Sequence, residues 1–151
     1  MYFWYRLLTY LFYPISYFYL LIRKFRKKEH PERYREKLSQ IIINRGEGFV
    51  VWFHVASVGE GLSILPLIEE IEQEKKISKI LITTITLSSA EVLQKRLVQN
   101  KKVIHQFLPL DINIFVNKFL NHWSPNLSIF VESEIWPNLI FKIKKKGIPL
   151  L

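Results

Sequence analysis

The sequence contains no cysteine, which excludes disulfide bonds, thiolate zinc sites and a cysteine nucleophile. It also contains neither the G-x-G-x-x-G fingerprint of dinucleotide-binding folds nor a P-loop. The four histidines (His30, His54, His105 and His122) are not spaced like metal ligands, and they offer no Ser-His-Asp triad. The sequence therefore gives no sign of a bound cofactor or of a metal site.

Apolar and basic residues dominate instead. Hydrophobic residues make up 49% of the 151 positions, which is enough to build the core of one domain. The net charge is +9, and residues 1–48 hold ten Lys/Arg against four acids, whereas residues 49–151 hold twelve against nine. Positive charge concentrated beside an apolar run favours an anionic membrane surface as partner. Because no basic-aromatic platform lies elsewhere, we expect no nucleic-acid partner.

The N-terminal segment, residues 1–28, is predicted to be a membrane anchor with a basic flank. Its run "YFWYRLLTYLFYPISYFYLLI" has an uncharged part, residues 7–22, that is short for a spanning helix and rich in rings that favour the headgroup region. A short signal-anchor helix and a helix lying in the interface both remain open, and a core helix of a soluble domain is a third interpretation. The predicted membrane-contacting cations are Arg23, Lys24, Arg26, Lys27 and Lys28. By the positive-inside rule, they place the following domain on the cytoplasmic side.

After a connector at residues 29–48 with a short helix at 31–39, strands and helices alternate. Predicted strands cover 49–55, 79–86, 103–110 and 127–133, and predicted helices cover 61–76, 88–100, 111–123 and 137–147. Ser88 and Asp111 are the expected helix caps, and "IPLL" at 148–151 begins an expected fifth strand. The pattern predicts an α/β fold with a Rossmann-like, mostly parallel sheet. Ligands of such sheets bind at the carboxyl ends of the strands.

Carboxylates follow two of these strands. Glu60 comes after Gly59, whose lack of a side chain permits a sharp turn and a close approach to a ligand. A carboxylate there could accept a proton from a hydroxyl, although Glu is also common in the first turn of a helix. Glu132 and Glu134 share one face of extended chain, and an ion pair would be the alternative role for Glu132.

Other candidates at the strand ends are less distinctive. Thr83 and Thr84 offer hydroxyls but are also ordinary strand residues, and Trp136 either walls a cleft or packs in the core. His54, inside the first strand, is expected to be a satisfied core residue.

The motifs "HVASVGEG", "TTIT", "FLPLD" and "VESEIWPNLI", in this order, resemble the N-terminal half of the transferases of 3-deoxy-D-manno-octulosonic acid (Kdo). The resemblance covers nearly the whole chain. It implies the N-terminal domain of a GT-B glycosyltransferase, residues 49–151, that binds the lipid A precursor. A C-terminal domain would bind the donor, CMP-Kdo.

The resemblance also implies roles for individual residues. Glu60 would be the general base and Glu132 a second essential carboxylate, in an inverting displacement that needs no metal. The residues expected to contact substrate are Ser57, Gly59, Thr83, Thr84, Glu134, Trp136 and Asn138.

The resemblance also predicts that the sequence is one part of a longer protein. The sequence is expected to be a fragment at the cytoplasmic face of a bacterial inner membrane, with a separately encoded C-terminal half as a candidate partner. The alternative function is an inactive membrane-associated fragment that binds anionic lipid.

Overall fold

Four parallel strands form the centre of the molecule. The computed structural model describes residues 2–131 and 135–151. The strands are β1 (Phe49–His54), β2 (Ile77–Thr84), β3 (Val103–Phe107) and β4 (Leu127–Phe130). They lie in the order β3-β2-β1-β4, and Trp52 of β1 pairs with Leu81 of β2 and Ser128 of β4. The predicted α/β class with a parallel sheet is confirmed.

Helices precede, connect and follow the strands, and those between successive strands make the crossovers that parallel pairing requires. They are α1 (Tyr2–Phe25), a 3₁₀ helix (Arg33–Leu38), α2 (Val58–Ser63), α3 (Leu65–Gln73), α4 (Leu87–Arg96), α5 (Asn113–Trp123) and α6 (Pro137–Lys145). The 3₁₀ helix corresponds to the short helix expected in the connector.

The sheet is buried on both faces. One side of β1, with Val50 and Trp52, packs with α5 and α6, whose buried residues include Phe119 and Trp123. The other side packs with α3 and α4; the buried members of this second cluster are Val51, Phe53, Val55, Ile64, Ile68, Ile80, Ile82, Leu93 and Leu97. A strand covered on both faces reads as a continuous apolar run rather than an alternation, which is why β1 was recognisable.

The expected helix at 61–76 was wrong in its bounds. The chain forms two helices, α2 and α3, which meet at Ile64, and Pro66 lies in the first turn of α3. Proline has no N–H to donate and is tolerated in a first turn but not in a helix interior. A new helix therefore starts where a continuous one was expected.

The expected cap of the next helix was also wrong. Helix α4 starts at Leu87, and the hydroxyl of Thr86 rather than that of Ser88 accepts the N–H of Ser89, at 3.3 Å. It ends at Arg96 instead of residue 100.

Asp111 does not cap the helix that follows it. Helix α5 starts at Asn113, and its N-cap, Ile112, has no capping side chain. The Asp111 carboxylate instead accepts the backbone N–H groups of Asn138 and Leu139, at 3.0 and 2.9 Å. It therefore caps α6, which is distant in sequence.

The end of the chain pairs with the sheet. Leu150 forms a parallel bridge with Ser128, and the Leu151 N–H donates to the Ser128 carbonyl at 3.0 Å. This agrees with the expected start of a fifth strand. Strand β3 ends at Phe107, three residues before the expected end.

Helix α1 has two distinct faces. Its inner face packs on α5, where the rings of Tyr13 and Phe115 lie 5.3 Å apart and Leu20 is fully buried. Its outer face carries a stripe of large apolar residues, each 53–83% exposed: Trp4, Leu8, Leu11, Ile15, Phe18, Ile22 and Phe25. Their spacing of three or four residues places them on one side of a helix. Within the described part of the chain, neither α1 nor any other helix has the length and apolarity needed to cross a membrane.

Candidate functional site

The carboxyl ends of β1 and β2 and the first turn of α2 form the candidate site. Strand β1 ends at His54, and the extended residues that follow lead into α2 at Val58. Ser57 is exposed and is the N-cap of α2, so its hydroxyl accepts the Glu60 N–H at 3.2 Å. The site therefore begins with a rigid connection between a buried strand and a helix.

Glu60 is held by its own helix terminus. Its Oε2 accepts the backbone N–H of Ala56 at 2.7 Å, and the side chain is 9% exposed. Ser57 and Glu60 have the S-x-x-E spacing of a capping box, in which each residue satisfies free N–H groups at the start of the helix. The S-x-x-E spacing is visible in the sequence, and it explains the position of Glu60 without any ligand.

The same contacts keep Glu60 ionised. Burial raises the pKa of this carboxyl, but hydrogen bonds from Ser57 and from the Ala56 and Ser57 backbone outweigh that effect. The pKa of Glu60 is therefore lowered from its ordinary value. At neutral pH the group is a carboxylate, the protonation state that a base requires.

Gly59 is exposed in the first turn of α2. A Cβ built there would have the Ser57 Oγ, at 4.0 Å, as its nearest neighbour. The turn itself therefore does not require glycine, and close approach of a ligand remains a prediction for this residue.

Thr83 belongs to a buried polar cluster behind the site. Its hydroxyl accepts the indole N–H of Trp52 at 2.9 Å and lies 3.0 Å from His54 Nδ1. Burial lowers the pKa of His54 to about 4, despite a favourable backbone hydrogen bond at Thr83. His54 Nε2 is buried and has no hydrogen-bond partner among the described residues.

Thr84 is also fully buried and engaged within the protein. Its hydroxyl lies 2.9 Å from His105 Nε2, and the Arg33 guanidinium donates to the His105 carbonyl at 2.9 Å. Burial and then the charge of Arg33 lower the pKa of His105 to about 3. The side chains of Thr83 and Thr84 thus face protein partners, and their predicted contact with substrate stays a prediction.

Asn138 and Trp136 lie at the start of α6. The Asn138 amide donates to the Asp111 carbonyl at 2.6 Å and to the Thr9 hydroxyl at 3.1 Å, so it joins α6 to α1. Tyr5 of α1 adds a 2.8 Å hydrogen bond to the Asp111 carboxylate. Trp136 is partly buried and packs against the core on the α5 and α6 side. Asn138 is therefore a connecting residue that sequence spacing did not identify as such.

Glu132 and Glu134 lie outside the described residues, so their predicted convergence with Glu60 is untested. The residue after β4 is Val131, whose N–H donates to the His54 carbonyl at 3.1 Å. The described residues therefore extend, beside the end of β1, to the position just before Glu132.

The five predicted membrane cations have different environments. Arg23 donates to the buried Glu29 at 2.6 Å, and Lys24 lies over the ring of Tyr34 at 4.8 Å. Glu29 also pairs with the buried Lys37 at 2.7 Å. Arg26, Lys27 and Lys28 are exposed.

Within the described part of the chain, Glu60 does not line any of three cavities. Three cavities of roughly 490–520 Å³ lie beside the 3₁₀ helix, between α1 and α5, and between α4 and β3. Within residues 2–131 and 135–151, no group of three or more His, Cys, Asp or Glu side chains could hold a metal ion.

Comparisons with a family model and with individual relatives indicate one family. Residues 26–151 match the family described as 3-deoxy-D-manno-octulosonic-acid transferase (kdotransferase). The chain is 39% identical over 146 residues to a probable mitochondrial 3-deoxy-D-manno-octulosonic acid transferase of Arabidopsis thaliana, covering 97% of this chain and 32% of that protein. It is 37% identical over 142 residues to the Rickettsia bellii transferase, covering 94% and 34%. It is 32% identical over 124 residues to the Haemophilus influenzae transferase, covering 79% and 29%. The chain thus spans about a third of the length of these curated relatives.

Proposed function

This chain belongs to the 3-deoxy-D-manno-octulosonic-acid transferase family, and on that premise we propose that it is the acceptor-binding half of a Kdo transferase. The complete enzyme would transfer Kdo from CMP-Kdo to a lipid A precursor. The donor would bind a C-terminal half outside these 151 residues.

The placement of Glu60 carries the proposal. It is ionised at neutral pH and is fixed at the carboxyl end of the strand next to β4. In parallel α/β sheets this edge is where ligands bind. The capping contacts fix the carboxylate in one position, and precise position is what a general base requires.

The chemistry is a single displacement. Glu60 would take the proton of an acceptor hydroxyl while that oxygen attacks the anomeric carbon of Kdo. The bond from that carbon to the phosphate oxygen of CMP would break, CMP would leave, and the configuration would invert. We propose that Glu132, which follows Val131 beside β1, is the second carboxylate near this reaction centre.

The substrate-contacting residues divide by exposure. Ser57 and Gly59 are exposed and Trp136 is partly so, which permits direct contact with the acceptor. Thr83, Thr84 and Asn138 are fully buried. The two threonines would act by keeping the end of β2 in place, and Asn138 by holding the start of α6. Glu134 is proposed as a contact from its position in the motif.

The outer face of α1 supports a location at a lipid surface. Its apolar stripe is continuous along the helix, and the exposed cations Arg26, Lys27 and Lys28 follow directly. Apolar burial combined with attraction to anionic lipid is how interfacial helices bind. We propose that α1 lies in the interface of the bacterial inner membrane, with the sheet on the cytoplasmic side.

The test joins this chain to the C-terminal part of the Rickettsia bellii relative and measures Kdo transfer from CMP-Kdo to a lipid A precursor. Glu60→Gln should lower kcat by about 10²–10⁴-fold, the range for loss of a general base. An amide oxygen still accepts the Ala56 N–H, so this variant keeps the cap.

Glu70→Gln, an exposed glutamate of α3, is the matched control and should transfer normally. Equal transfer by Glu60→Gln and Glu70→Gln would falsify the assignment of Glu60 as the base.

A further inference from the structure

A cavity between α1 and α5 is not part of the site described above. Its volume is about 520 Å³, and it is lined by Phe3, Arg6, Leu7, Tyr10, Asn113, Ile114 and Asn117. The α1 side is mainly apolar with one cation, and the α5 side is the first turn of an 11-residue helix.

The α5 side presents hydrogen-bonding groups without partners. Ile112 provides no side-chain cap, and among the described residues no hydrogen bond satisfies the backbone N–H groups of Asn113 and Ile114. Asn113 is 7% exposed, and its Oδ1 is buried without a hydrogen-bond partner in that same part of the chain. A buried amide oxygen in this state lacks a donor. The uncapped N–H groups and the helix dipole favour an anion.

Arg6 supplies a positive charge to the same cavity. It is the single charged residue of the apolar run at 2–22, and it forms no ion pair with the described residues. Lys142 of α6 lies near enough that the charge of Arg6, after burial and the charge of Lys145, lowers the pKa of Lys142. Arg6 therefore brings a cation to the cavity, and its charge acts on Lys142 of α6.

We propose that this cavity binds the headgroup of an anionic phospholipid, with a phosphate beside a hydroxyl. The phosphate would pair with Arg6 and accept the N–H groups of Asn113 and Ile114. The hydroxyl would donate to Asn113 Oδ1, and Phe3, Leu7 and Tyr10 would contact the start of the acyl chains. The proposal rests on the proposed placement of α1 at a lipid surface.

The experiment uses the ¹⁵N-labelled 151-residue chain and dihexanoylphosphatidylglycerol below its micellar concentration. The amide signals of Asn113 and Ile114 should shift in a saturable way. Arg6→Gln should weaken this binding about tenfold or more, because it removes a hydrogen bond to a charged group. Asn113→Ala should also weaken it, through loss of the hydroxyl contact.

Three controls decide the result. Arg96→Gln removes an exposed cation of α4 that does not line this cavity and should bind as the unchanged chain does. Dihexanoylphosphatidylcholine and glycerol 3-phosphate should each bind at least tenfold more weakly. Equal affinity in Arg6→Gln and Arg96→Gln, or equal binding of the choline lipid, overturns the site. Equal binding of glycerol 3-phosphate overturns the lipid assignment and identifies a soluble phosphate ester instead. Neither result bears on Glu60, whose role is tested separately by transfer activity.

Discussion

His54 shows at the scale of one residue how burial sets a charge. The side chain is 3% exposed and contacts Thr83, and its pKa is lowered to about 4, chiefly by burial. An unfolded histidine titrates near 6.5, so the native state favours the neutral ring throughout the interval between these values.

This shift predicts a pH-dependent stability. Between pH 6.5 and 4 the unfolded state binds more protons than the native state, so the free energy of unfolding falls as pH is lowered. The contribution of His54 is complete above pH 6.5, and about 3 kcal/mol of it is lost by pH 4. Urea unfolding of the chain and of His54→Gln across this range should give a steeper pH dependence for the unchanged chain.

The difference between the two curves isolates His54, because His105, whose pKa is lowered to about 3, is present in both proteins. Parallel curves would show that His54 titrates alike in the folded and unfolded states.

At the candidate site, the sequence predicted positions better than contacts. Glu60 does follow a buried strand at the carboxyl edge of the sheet, because an apolar run and its end are local features. The engagement of Thr84 by His105, or of Asn138 by Asp111, depends on residues more than twenty positions away. One sequence carries no signal of which distant group will satisfy a hydroxyl or an amide.

Asp111 acts at the scale of whole elements, because its carboxylate accepts hydrogen bonds from both α1 and α6. Asp111→Ala should lower the free energy of unfolding by about 3 kcal/mol. It removes a helix cap and leaves the buried N–H groups of Asn138 and Leu139 without an acceptor.

Denaturant unfolding followed by tryptophan fluorescence measures this change. Glu91→Ala, which removes an exposed carboxylate from α4, is the control and should shift stability by less than about 0.5 kcal/mol. An equally small effect in Asp111→Ala would show that the hydrogen bonds at the start of α6 contribute little.

The elements were largely predictable, and their ends were not. All four strands were expected from continuous apolar runs, which a two-sided sheet requires. Boundaries were misplaced because hydrophobic periodicity does not show which side chain caps or starts a helix. Thr86 caps α4 in place of Ser88, Pro66 starts a new helix, and Asp111 caps α6.

At the scale of the whole molecule, one side is apolar and basic. The stripe on α1 and the exposed Arg26, Lys27 and Lys28 are contiguous in sequence, whereas Arg23 is engaged by Glu29. The five predicted membrane cations should therefore contribute unequally.

A triple variant, Arg26→Gln, Lys27→Gln and Lys28→Gln, should bind phosphatidylglycerol vesicles on the order of 100-fold more weakly at low salt, since each cation near an anionic surface contributes about 1 kcal/mol. Vesicle co-sedimentation measures this, and raising the salt should shrink the difference. Equal binding by the triple variant and the unchanged chain would contradict the role of these cations. Arg23→Gln, the comparison variant, should bind nearly as well as the unchanged chain.

The hydrogen bond from Tyr5 to Asp111 also means that α1 cannot be exchanged without affecting α6. Helix α1 is not an independent segment, because Tyr5 completes the hydrogen bonding of the Asp111 carboxylate, which organises α6. An engineer who grafts a different amphipathic helix onto this domain must keep a hydroxyl at that position and another at position 9, or redesign the start of α6 at the same time.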